Sequence, residues 1–73
     1  MKLDALREGE CATLLKMELC DATRRRLLDL GLVEGTKIFV LRKTGHSSIL
    51  WVRGTMLALR NRDLKKIGVA PCD

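Results

Sequence analysis

The segment Arg24 to Thr36, RRRLLDLGLVEGT, constrains the fold of this chain more than any other stretch. Three arginines lead into a leucine-rich turn, and Gly31 follows it directly. A glycine placed just after an apolar helical turn ends the helix, because without a Cβ it reaches left-handed dihedrals cheaply. Gly35 then turns the chain again, immediately before a β-branched run. The segment predicts a short basic helix, a stop, a tight turn and a strand. Asp21 is the expected N-cap, since its carboxylate can accept from the orphan amides of the first turn.

At about 100° per residue, Leu27 and Leu30 fall on one helix face with Thr23, and Leu28 lies further round. Arg25 and Asp29 point the opposite way. Arg24 projects between Leu27 and Leu28, so it is the arginine expected to need a fixed partner, an ion pair or a backbone carbonyl. Arg25 and Arg26 remain as an exposed basic pair. Leu27, Leu30 and the glycines 31 and 35 are assigned to structure along with Arg24.

The flanking chain reads as strands. Gly9 to Met17 alternates apolar residues and is a first strand. Thr36 to Lys43 (TKIFVLRK) is apolar on both alternations, which predicts a central strand or one with two covered faces. Ser48 to Arg53 is a third strand, Gly54-Thr55 a two-residue hairpin connection, and Met56 to Arg60 a fourth strand. Asn61 to Lys65 is a single helical turn capped by Asn61, and Lys66 to Val69 a short closing strand. The expected fold class is mainly β: about five short strands, with one short helix between the first two, in a small closed or partly closed barrel. Closure would also remove exposed sheet edges.

With 73 residues the chain is one domain with a thin core. Its formal charge of +5 suits an acidic partner surface. No apolar run approaches the roughly 20 residues a spanning helix needs, so direct membrane insertion is not expected. The charged opening MKLDALREGE lacks a signal segment, and three cysteines without a CxxC read as free thiols in a reducing cytoplasmic compartment. Nucleic acid is disfavoured, because Phe39 and Trp51 are the only aromatic side chains and single-strand binders use several stacking platforms.

Catalytic and metal-ligating constellations are missing from the pattern. One His, no paired acid and base, no phosphate loop and no nucleophile elbow leave no catalytic residue to assign, so the chain reads as a non-enzyme. Cys11, Cys20, Cys72 and His46 match no ligand spacing. No cofactor and no metal residue is assigned, although a divalent transition metal stays open as an alternative.

The whole chain resembles the FeoA family of small proteins of bacterial ferrous iron transport. The resemblance begins with LREGECATLLKM, where Leu6, Gly9 and Ala12 carry the L-x-x-G-x-x-A pattern. It peaks at RRRLLDLGLVEGT. It closes with VRGTMLALRNRDLKKIGV, where Gly54, Ala58, Leu59, Arg60, Ile67 and Val69 match the family ending; Leu64 stands where the family often has a small residue. The resemblance implies an SH3-like barrel and an accessory role in iron uptake through contact with FeoB, the membrane transporter with a cytosolic GTPase region. Arg25, Arg26, Lys37 and Phe39 are the residues expected to meet that partner, with the chain a monomer or a weak homo-oligomer. The alternative is a metal-responsive regulator, because the same fold occurs as the C-terminal domain of DtxR-type repressors.

Overall fold

The computed structural model describes residues 1–72. Alternation along each apolar run sets one face of every strand inward, and the strands assemble accordingly. β1 (Cys11–Met17), β2 (Lys37–Lys43), β3 (Ser47–Val52), β4 (Thr55–Arg60) and β5 (Ile67–Pro71) form one antiparallel sheet in the order β4-β3-β2-β1-β5. α1 (Asp21–Asp29) joins β1 to β2, and the single turn α2 (Asn61–Leu64) joins β4 to β5. A 3-10 turn at Leu3–Ala5 precedes β1.

Ala12 and Leu14, Ile38 and Val40, Leu50 and Val52, Leu57 and Leu59, and Ile67 and Val69 bring all five strands into one core. Leu3 and Leu6 add the lead-in segment, Leu27 the helix, and Leu64 the α2 turn. The Val69 amide donates to the Met1 carbonyl at 2.9 Å, and Lys2 bridges Gly68, so the outer side of β5 is covered. β4 and β5 end the strand order, and no β4–β5 ladder occurs among the described residues. α2 packs on β4 and on the Leu3–Ala5 turn in that region.

The helix stop follows its sequence signal closely. Gly31 has φ of 101°, the Leu32 amide donates to the Leu27 carbonyl at 2.9 Å, and the Gly31 amide donates to Leu28 at 3.0 Å. These two bonds form a Schellman motif, with Leu27 and Leu32 both buried as its apolar pair. Leu30, expected on the buried face, is exposed instead. It sits at the C-cap, where the chain leaves the helical path, and Leu32 takes the core position after the glycine.

Other expectations shift by a residue or so. Cys20, not Asp21, holds the N-cap position of α1, and Asp21 opens the helix. Arg60, not Asn61, precedes α2; the Asn61 side chain donates to the Gly45 carbonyl at 3.2 Å. The β3–β4 turn is Arg53-Gly54, with φ of 50° and 82°, rather than Gly54-Thr55. Two successive positive φ values are what a two-residue turn needs to match the twist of its strands. The Arg53 stem lies over Gly31: a Cβ added there would meet Arg53 Cδ at 3.1 Å.

The cysteine reading is corrected in part. Cys11 and Cys72 form a disulfide, with Cα atoms 5.7 Å apart, and only Cys20 is a free thiol. The antiparallel register of β1 and β5 pairs Ala12 with Pro71, which brings the two cysteines opposite each other.

Candidate interaction surface

β2 is central, as its composition predicts, but its second face is open. Ile38 and Val40 are buried, whereas Lys37, Phe39 and Leu41 point outward. The register then builds a row across the outer face. Cys11 lies opposite Phe39, Phe39 opposite Trp51, and Trp51 opposite Met56. Leu41 joins the face through a bulge between Val40 and Arg42, where an unpaired extra residue bends the strand.

Exposure distinguishes this row from ordinary surface. Phe39 and Trp51 are each 39% exposed, Leu41 47% and Met56 64%. Scattered single apolar residues on a surface need no explanation, but these are contiguous across three strands. The core of so small a domain is the natural place for its aromatic rings, since each buries about 150–250 Å². Here the core is entirely aliphatic, and both aromatic residues stand side by side outside it.

Phe39 and Trp51 form a ridge between two shallow recesses. One, of ≈ 460 Å³, is lined by Glu34, Gly35, Thr36, Lys37, Arg53 and Gly54 together with the two rings. The second, of ≈ 430 Å³, is lined by Gly9, Val40 and Leu41. Lys37 and Arg53 therefore give one end of the apolar face a basic border.

The helix arginines occupy a different surface. Arg24 Nη2 reaches Asp21 Oδ1 at 2.9 Å, an exposed i,i+3 pair. Its Coulombic attraction is screened by solvent, and pairs of this kind contribute little to stability. Arg25 and Arg26 are exposed and, among the described residues, have no carboxylate in ion-pair reach. Arg26 lines a groove between α1 and β4 with Thr23, Ala58, Leu59, Arg60, Arg62 and Asp63. Of the four residues expected to meet a partner, Lys37 and Phe39 thus share a recess, and Arg26 lies in another one.

Sequence reasoning passed over Trp51, Leu41 and Met56 as contact residues. The signal for Trp51 was present: in SILWV it has the opposite parity to Leu50 and Val52, both fully buried. Leu41 and Met56 depend on the bulge and on the position of the turn.

The remaining titratable groups are dispersed, and no three of His, Cys, Asp and Glu converge among the described residues. His46 lies in the loop before β3, beside Gly45, Ser47 and Asn61. Cys20 is exposed at the start of α1, with Sγ 3.2 Å from Thr23 Oγ1. The Thr23 side-chain hydrogen bond, helped by the Thr23 and Ala22 amides, holds the Cys20 thiol below the usual cysteine range. No helix of the described residues is long and apolar enough to cross a membrane.

Comparison with known proteins identifies the lineage. The FeoA domain model matches residues 1–71. The solution structure of FeoA from Chlorobium tepidum superposes with a TM-score of 0.96 at 35% identity, covering 100% of this chain and 71% of that one. The Clostridium acetobutylicum FeoA-like protein gives 0.83 at 26% identity, covering 97% and 85%. The Stenotrophomonas maltophilia FeoA, a zinc complex described as a prokaryotic SH3 domain protein, gives 0.80 at 28% identity, covering 94% and 88%. A manganese-dependent transcriptional repressor shares the fold, with a TM-score of 0.84 at 19% identity over 41% of its length. Among curated proteins, none matches the chain in sequence. A domain match over nearly the whole length, and FeoA structures from separate bacteria with the same fold, make this chain a member of the FeoA family of small ferrous iron transport factors.

Proposed function

We propose that this protein is a non-catalytic cytoplasmic accessory of ferrous iron uptake that docks on the FeoB transporter through the outer face of β2, β3 and β4. One observation carries the reading: both aromatic residues of the chain are exposed and adjacent on that face, with Leu41 and Met56 beside them. Aromatic and methionine side chains are enriched at interface centres, where a few well-packed anchors supply most of the binding energy. Lys37 and Arg53 at the border suit an acidic rim on the partner, and Arg25 and Arg26 extend the basic field beyond it. Rim charges of this kind act mainly on the association rate and its salt dependence. An SH3-like partial barrel, in which the curved sheet wraps its own core and offers its outer surface to a partner, fits the strand order.

The test is binding of the purified protein to the isolated cytosolic GTPase region of a FeoB-type transporter, followed by calorimetry. Phe39→Ala and Trp51→Ala should each weaken the complex by ten-fold or more, in keeping with about 2 kcal/mol for a central aromatic anchor. Arg25→Glu with Arg26→Glu should slow association and flatten its salt dependence. Full-strength binding by the Phe39→Ala/Trp51→Ala double variant would show that this face is not the docking surface.

A further inference from the structure

The sheet has one edge strand with no strand beside it, β4, and this strand carries no proline, bulge or inward charge against strand pairing. β5 is shielded by Met1 and Lys2. β4 ends the strand order on the other side and hydrogen-bonds to β3 alone. Natural edge strands are blunted by proline, bulges, inward charges or shortness. β4 runs six residues, TMLALR, with regular register throughout and a charge only at its last position.

The hairpin decides which backbone groups are unpaired. In a two-residue turn the flanking residues, here Val52 and Thr55, exchange both hydrogen bonds, and hydrogen-bonded pairs then alternate along the ladder. Leu57 and Leu59 accordingly pair with Leu50 and Ser48. The N–H and C=O groups of Met56 and Ala58 point the other way, off the edge of the sheet. Beside that edge lies the groove of ≈ 330 Å³ whose far wall is Thr23 and Arg26 of α1.

The groove has a definite charge. Arg26, Arg60 and Arg62 line it, against one carboxylate, Asp63. This disfavours a second copy of the chain as the occupant, because pairing two β4 edges antiparallel would bring the Arg53 turn of one copy to the Arg60–Arg62 end of the other, positive against positive. It favours an extended segment bearing Asp or Glu, whose main chain can pair with Met56 and Ala58 while its carboxylates meet the arginines. Peptides that add a strand to an open edge gain affinity from main-chain hydrogen bonds and specificity from alternate side chains.

We infer that the β4 edge is a strand-addition site for an acidic, extended segment of a partner protein, with Met56 and Ala58 supplying the main-chain bonds and Arg26, Arg60 and Arg62 reading its charge. The arginine groove has neither Phe39 nor Trp51 in its lining, so the site adjoins the aromatic ridge at Met56 and adds a second point of attachment. A strand paired here also extends the apolar row, since Met56 is both an edge residue and the last member of that row.

The probe is a synthetic octapeptide of alternating Glu and Val, titrated to millimolar concentration into isotope-labelled protein, with the Lys and Val counterpart as control. Chemical-shift changes and at least ten-fold slowing of amide exchange are expected at Met56 and Ala58 with the acidic peptide and not with the basic one. Binding should weaken steeply with added salt. Arg62→Glu should lower the affinity several-fold without altering the spectrum of β1 and β2, and Ala58→Pro should remove protection at the edge. Unprotected Met56 and Ala58 amides at millimolar acidic peptide, equal protection by the basic peptide, or shifts confined to Phe39 and Trp51 would each overturn the proposal. The probe contains no part of a transporter, so its failure leaves the docking role of the aromatic face standing.

Discussion

Leu27→Ala should separate α1 from the rest of the molecule. Of the nine residues in α1, Leu27 alone is buried. An isolated helix shorter than about 12 residues has little stability in water, so α1 is held chiefly by this side chain and by the Leu32 that follows its stop. Truncating a buried leucine costs roughly 2–5 kcal/mol, the lower values applying where the surroundings settle into the gap. α1 can settle onto the sheet, so about 3 kcal/mol is expected. A domain of this length is stable by only about 4–11 kcal/mol at typical per-residue values. With a urea slope near 1 kcal/mol/M, the unfolding midpoint should fall by about 3 M. Leu28, its neighbour, is 42% exposed, and Leu28→Ala should cost under about 1 kcal/mol, as surface changes do. Urea melts of the two variants, with amide exchange read along α1, make the comparison. Equal midpoints for the two variants would refute the claim that a single side chain anchors the helix.

Further outcomes follow from the turn, the disulfide and the free thiol. Gly31→Ala should destabilise by about 1–2 kcal/mol, the cost of a left-handed residue with a Cβ, and more if the Arg53 stem cannot shift; Gly45→Ala, with open space around it, should be close to neutral, and thermal melts compare them. Reducing Cys11–Cys72, which closes a separation of 61 residues, should cost about 4 kcal/mol by the loop-closure model, read as a drop in the urea midpoint with dithiothreitol that a Cys11→Ser/Cys72→Ser variant does not show. Cys20 should alkylate with iodoacetamide at lower pH than free cysteine, because its thiolate accepts from Thr23, and Thr23→Ala should move the profile upward.

The sequence carried the local features of this fold well and the long-range ones poorly. Gly31 announced the end of α1 because the stop is a property of one backbone position and its immediate neighbours. Leu30 misled for a related reason: a helical projection assumes the helix continues, and at the C-cap it does not. The Arg53-Gly54 turn was displaced by one residue because a non-glycine at positive φ goes against propensity, and the packing of the Arg53 stem over Gly31 is a tertiary contact. Cys11 and Cys72 meet only through the β1–β5 register, which no local pattern encodes. The aromatic face lies between these cases. Its alternation was legible in SILWV and KIFVL, but the contact of Phe39 with Trp51 and Met56 required the strand order.

The place of Trp51 has a practical side. It is the single tryptophan of the chain, it stands half-exposed in the middle of the outer row, and Phe39 and Met56 flank it. Its indole fluorescence is therefore a built-in optical reporter on one side of the molecule. Burial of the ring against a partner would shift its emission to the blue, whereas an event at the far side of α1 would leave it unchanged. Unlabelled protein can thus be followed in a mixture, and the wavelength of the emission maximum says which surface has been occupied.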